Sequence, residues 1–156
     1  MIRLQRILFP TDFSECANSA QQYACALAGQ FEVELHLLHV LQDLTLLMLP
    51  EPATALALPA SFLETCETEA KSTLARLLDP SWCAGRRVVY ATRTGNPALE
   101  IDRYATETDI GLIVIGTHGR SGFSHVLLGS IAERVVRRAP CPVLTVRPQT
   151  RQLVSS

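Results

Sequence analysis

GLIVIGTHGRSGFSHVLLGSIAERVVRR, residues 111–138, is the stretch that decides the fold. Residues 112–115 are a short run of branched apolar side chains, the sign of a strand buried on both faces of a parallel sheet. The run ends at Gly116. Gly119 follows after two intervening residues and Gly129 after nine more, with Ser130 and a helical pattern directly behind it. A strand, a glycine-bearing loop and a helix start thus follow one another. Glycines in such a loop let the backbone approach a ligand closely, and the N–H groups of a first helical turn attract anions, phosphate above all. A plainer reading stands beside this one: the glycines make a tight turn, and Ser130 with Glu133 has the spacing of a capping box. The stretch by itself leaves both readings open.

Toward the N-terminus, residues 6–9, running into Pro10, read as a first strand that turns through Thr11, Asp12, Phe13 and Ser14. A helix follows, with Cys16, Ala20, Tyr23, Ala24 and Leu27 at helical spacing and Gly29 near its stop. Asp12 and Ser14 are both candidate N-caps. The other reading of Asp12 is a carboxylate at a strand's carboxyl end that accepts hydrogen bonds from a ribose hydroxyl. Residues 33–40 form a second strand; His36 and His39 fall on opposite faces of it and do not chelate one metal together. Residues 41–60, with Asp43, Glu51 and three prolines, read as a long loop, a lid or a partner contact.

Ser61 opens an amphipathic helix with Phe62, Cys66, Ala70, Thr73, Leu74 and Leu77 on one face, ended by Pro80. Residues 87–92 read as a third strand. Asn96 as N-cap and Pro97 at the first helical position start a short helix with Ala98, Ile101 and Ala105 inward. After the opening stretch, Pro140, Cys141 and Pro142 break the chain before a fifth strand at 143–146. Five strands alternating with four helices predict an α/β fold: a five-stranded parallel doubly wound sheet, helices on both faces, flavodoxin- or Rossmann-like. In such sheets ligands bind beyond the carboxyl ends of the strands where the strand order reverses. If the first and fourth strands are neighbours, residues 10–12, 39–40 and 115–119 meet in one crevice.

The 156 residues suit a single domain, 1–156, with 47% hydrophobic and 19% charged residues. A net charge of −1 offers no general attraction to nucleic acid or to an anionic membrane. The start, MIRLQRILFPTD, lacks the features of a signal peptide, and no apolar run approaches the roughly 18 to 20 residues that span a bilayer, so a cytoplasmic protein is expected. Five cysteines without a C-x-x-C pair point neither to a disulfide framework nor to a zinc site, and Cys16, Cys25 and Cys66 read as core thiols. The one lysine, Lys71, sits in an amphipathic helix with no glycine beside it, which excludes a P-loop. A Rossmann dinucleotide fingerprint and a G-x-S-x-G elbow are also absent.

With these segments in hand, the chain from about residue 7 to about residue 146 resembles the universal stress proteins of the nucleotide-binding type. The residues that carry the resemblance are Gly116, Gly119, Gly129 and Ser130, in the spacing Gly-x2-Gly-x9-Gly-Ser/Thr. ILFPTDFS, LLHV, GNPALEI and PCPVLTV support it. The resemblance implies an adenine-nucleotide alpha-hydrolase-like fold binding ATP, or ADP or AMP, with Mg. It implies that Asp12 contacts ribose, that Val40 lies against adenine, and that Pro10, Thr11 and Ile115 complete their surroundings. Gly116 and Gly119 would admit the phosphate chain, and Gly129, Ser130 and Ile131 would hold the phosphates at the helix N-terminus. His118 and Arg120 would be loop contacts, against the plainer readings of an exposed histidine and a solvated arginine; His125 reads as structural.

Relatives of this type pair through the last strand, and an apolar edge at Val143–Val146 needs cover, so a homodimer through it is expected. One departure is Gly111, where the family often has aspartate; it is expected to loosen the start of the fourth strand. No metal site and no catalytic residue is assigned. Nothing evident activates water, which favours a stress-response, nucleotide-dependent sensor or regulatory module acting on an unknown protein partner. The alternatives are a slow ATPase or phosphotransferase, and a dimeric interaction module without ligand.

Overall fold

The computed structural model describes residues 4–42, 59–118 and 128–148. Gly119, Arg120, His125 and residues 43–58 of the expected long loop lie outside them. In chain order the elements are β1 (Arg6–Pro10), a 3-10 turn (Glu15–Ala17), α1 (Asn18–Phe31), β2 (Glu34–Leu41), α2 (Ala60–Leu77) and α3 (Pro80–Cys83). β3 (Val88–Thr94), α4 (Pro97–Glu107), β4 (Leu112–Gly116), α5 (Ser130–Arg138) and β5 (Val143–Val146) complete them. The strands form one sheet in the order β3-β2-β1-β4-β5, and every pairing is parallel. The chain steps outward from β1 to β3, then crosses back to lay β4 on the free side of β1. The strand order therefore reverses between β1 and β4, the adjacency on which the expected crevice depends.

Side chains alternate across the sheet, so each strand supplies two cores. Ile7, Phe9, Leu35, Leu37 and Val114 pack against Ala20, Ala24 and Ala28 of α1 and Leu74 of α2. Leu8, Leu38, Ile113 and Ile115 pack against Ala98, Ile101, Tyr104 and Ala105 of α4 and Ala132 and Val135 of α5. The alanines of α1 are four residues apart, one stripe of small side chains that lets the helix lie close on the sheet. Tyr23, expected inward, sits on the flank of that stripe and is 47% exposed. Phe62 is exposed for a comparable reason: it lies in the first turn of α2, ahead of Ala70 and Leu74, the buried pair.

Asn96 caps α4 as predicted, accepting from the Leu99 N–H at 3.3 Å, with Pro97 at the first position. Gly29 lies near the stop of α1, as expected, but is not the closing residue. The helix runs on to Phe31 and closes on Glu32, which takes the left-handed conformation at φ 54° and donates its N–H to Ala28 O. A Cβ at Gly29 would stand 3.7 Å from the Arg86 guanidinium, an ordinary contact, so no close approach requires the glycine there. α3 has no counterpart in the sequence reading; Asp79 caps it by accepting from the Ser81 N–H at 2.7 Å. The start of β4 is held, not loosened. Gly111 N–H donates to Arg6 O at 3.0 Å, and a Cβ there would stand 3.0 Å from the Leu4 side chain. All five cysteines are free and partly buried.

Candidate functional site

Two chain corners meet at the carboxyl ends of the central strands. The first leaves β1. Pro10, buried, ends the strand opposite Leu38, and Thr11 N–H carries the ladder one step further by donating to Leu38 O at 2.9 Å. The turn that follows is held by side chains. Thr11 Oγ1 accepts from Phe13 N–H at 3.1 Å, and Asp12 Oδ1 accepts from Ser14 N–H at 3.0 Å, each a two-residue reach of the kind that makes a side chain mimic a backbone turn. Phe13 stands at φ 64°, the left-handed region a phenylalanine seldom takes. Its ring stacks on His39 of β2, centroids 4.3 Å apart and planes 24° from parallel. His39 Nδ1 lies 2.8 Å from Thr11 O. Ser14 Oγ is buried and makes no hydrogen bond among the described residues.

The second corner leaves β4. A Cβ on Gly116 would stand 3.3 Å from Cys16 O, so the glycine lets the 3-10 turn after β1 pass close over the end of β4. Thr117, buried, donates its N–H to Val146 O at 2.9 Å, which extends the pairing with β5. Its carbonyl accepts from Gly129 N–H at 2.6 Å. A Cβ on Gly129 would stand 2.9 Å from that same carbonyl oxygen, closer than side-chain carbons come. The two ends of the loop are thereby clasped, and the N-terminus of α5 is fixed on the end of β4. Thr117 Oγ1 and His118 Nδ1 share a hydrogen bond at 2.9 Å.

The capping box expected of Ser130 and Glu133 is not made. Gly129 is the N-cap, with φ −67° and ψ 156°, and its carbonyl accepts from Glu133 N–H at 2.9 Å. Ser130 is therefore the first helical residue, one position too far along for its hydroxyl to cap, and Glu133 pairs instead with Arg137 at 2.7 Å. The N–H groups of Ser130, Ile131 and Ala132 precede the first hydrogen bond of the helix, and the dipole concentrates positive potential on them. Arg137 and Arg138 in the last turn complement the other end.

Of the predicted residues, Pro10, Thr11 and Asp12 lie on the first corner, and Gly116, His118, Gly129, Ser130 and Ile131 on the second. Ile115 lies at the end of β4, and Val40, near the end of β2, packs in the same cluster as Ile115 and Ala132. The sequence reading missed three participants. Thr117 gave no signal beyond its place between two predicted residues; Phe13 and His39 stood in quoted motifs but carried no role. Groups that burial perturbs strongly lie elsewhere: Cys25 is pushed up to about 11 and Tyr90 to about 12, and both belong to the packing of α1, α3 and β3. Among the described residues no cluster of three metal-ligating side chains occurs, and no helix is long and apolar enough to cross a membrane.

The model of the universal stress protein family matches residues 3–147. Universal stress protein MJ0531 of Methanocaldococcus jannaschii is 31% identical over 148 residues, which cover 95% of this chain and 85% of that relative. Among solved structures, universal stress protein UspA from Lactobacillus plantarum matches with a TM-score of 0.77 at 28% identity, over 93% of this chain and 99% of the other. A universal stress protein from Archaeoglobus fulgidus in complex with dAMP matches with a TM-score of 0.60 at 21% identity, over 94% of this chain and 100% of the other. At that identity the likeness is one of fold.

Proposed function

The chain belongs to the universal stress protein family, and on that footing we propose that it binds an adenine nucleotide, ATP with Mg, as a nucleotide-dependent regulatory module. The observation that carries the proposal is the clasp between Thr117 O and Gly129 N–H, which sets the N-terminus of α5 on the carboxyl end of β4, the strand next to β1 where strand order reverses. Phosphates would lie against the N–H groups of Ser130 and Ile131, an arrangement that needs no lysine. Asp12 would accept from the ribose hydroxyls, with Pro10, Thr11, Val40 and Ile115 forming the nucleoside walls. Gly116, His118, Gly129 and, outside the described residues, Gly119 and Arg120 would line the phosphate path. The dAMP bound by the Archaeoglobus relative supports an adenine nucleotide as the ligand class this fold accommodates.

One observation fits such a ligand: Ser14 Oγ, buried in the first corner, is a polar atom that still lacks a partner among the described residues. A homodimer through Val143–Val146 belongs to the same proposal. β5 is an edge of the sheet, and Leu144 on it is 37% exposed, an apolar edge that a second copy would cover. The test is to denature the purified protein, identify any released nucleotide by mass spectrometry, and follow the melting temperature with added Mg-ATP. Released adenine nucleotide and a rise in melting temperature are expected; neither appearing would end the proposal.

A further inference from the structure

We propose that His39 is a positioning residue for the ribose end of the site: it holds the turn over residues 11–14 and, through that turn, the Asp12 carboxylate. The inference rests on the nucleotide site proposed above. His39 and Val40 are successive residues of β2, so their side chains leave the sheet on opposite faces. Val40 joins the cluster under α4 and α5, whereas His39 meets Phe13, which packs on the α1 side. The imidazole is therefore not a second nucleoside wall; it acts on the turn from behind.

Two contacts give it that hold. Thr11 O is only an acceptor, so the 2.8 Å contact requires the proton on His39 Nδ1, and N–H donation there fixes the ring's tautomer and its plane. In that plane the ring lies flat under Phe13, with centroids 4.3 Å apart. Phe13 is the residue that departs from ordinary backbone geometry, at φ 64°. A bulky side chain keeps such a conformation where its surroundings over-determine it. Here they do so three ways: the stack on His39, Phe13 N–H on Thr11 Oγ1 at 3.1 Å, and Thr11 O on His39. The next amide, Ser14 N–H, then reaches Asp12 Oδ1 at 3.0 Å and orients the carboxylate. Take away the imidazole, and Phe13 relaxes, Ser14 N–H moves, and the carboxylate loses its bearing.

The test uses the full-length protein, two substitutions and two ligands. Wild type is titrated calorimetrically with Mg-ATP and with Mg-2′,3′-dideoxy-ATP, which lacks the hydroxyls Asp12 would bind. His39→Leu should weaken ATP binding about tenfold, the order of one positioned hydrogen bond, and leave the dideoxy ligand unchanged, so that the preference disappears. His39→Asn, which keeps an N–H donor near the Nδ1 position, should restore most of it. A residue that only supports the core would weaken both ligands alike. Amide hydrogen exchange on the ligand-free protein gives a second readout: in His39→Leu the Phe13 and Ser14 amides should exchange faster, while the Leu99 amide, capped by Asn96, keeps its rate. Retention of the ATP preference in His39→Leu, or unchanged exchange at Phe13 and Ser14, overturns the inference. A wild type that binds neither ligand overturns the nucleotide proposal instead, and the exchange rates then decide by themselves whether His39 holds the turn.

Discussion

The two corners at the strand ends are held by opposite means. After β1 the turn is held by what the side chains add: Thr11 Oγ1, Asp12 Oδ1 and His39 Nδ1 each bind a backbone group. After β4 it is held by what the side chains leave out. Gly129 brings its N–H to Thr117 O, and Gly116 lets Cys16 O pass, because neither carries a Cβ. The first arrangement weakens one contact at a time. The second has little room to give, since the obstacle to an added methyl is backbone on both sides.

The comparison is most sharply broken at Gly129. Gly129→Ala puts a carbon 2.9 Å from Thr117 O, and φ −67° gives alanine no backbone strain that would blur the result. A loss of about 2 kcal/mol in urea unfolding is expected, in the range for forced overpacking. Gly116→Ala meets Cys16 O at 3.3 Å, which calls for a shift of only a few tenths of an ångström, so its cost should be smaller, about 1 kcal/mol. Equal losses for the two would show that the clasp is not the critical contact.

On the first corner, Thr11→Val keeps the shape and removes the acceptor for Phe13 N–H. About 1 kcal/mol should be lost, the net worth of one hydrogen bond, with the β4 corner untouched in amide exchange. If the Thr117 and Gly129 amides also exchanged faster, the corners would not be separate devices.

The smallest effect is expected at the far end of β2. Hydrogen bonding to His36 at 2.7 Å, aided by the charges of Arg87 and Arg6, holds Glu34 below the usual carboxylate range, against the opposing pull of burial. A carboxylate whose folded value is depressed stabilises the fold above its ordinary value and ceases to do so as pH falls through the lowered one. Melting temperature should therefore drop on the acid side of about pH 4.5, and Glu34→Gln should flatten that limb without altering either corner. An unchanged acid limb would remove Glu34 as its source.

The strands, the order of elements and the Asn96-Pro97 helix start were legible because each depends on residues within a turn or two of one another. Alternation and apolar runs mark the strands, and a capping asparagine acts three residues away. The Ser130-Glu133 spacing misled for a related reason. It is a local pattern, but the helix boundary was moved by a long-range contact, Gly129 N–H on Thr117 O, which made the glycine the cap. Tyr23 was misplaced because periodicity identifies a helix face without saying which residues lie at its centre; the alanine stripe took that place. Phe13 gave no warning, since a left-handed phenylalanine is held there by His39, a residue of the next strand.

The amino-acid sequence by itself determined the alternation of strand and helix, the parallel sheet and the family, because burial period, capping chemistry and glycine spacing are written in neighbouring residues. Only the tertiary structure decided that β1 and β4 adjoin, which glycine is required by a close approach, and which histidine braces the turn. Each of these depends on atoms that the chain brings together from distant positions, and a Cβ has no steric cost until the carbonyl it would strike is in place.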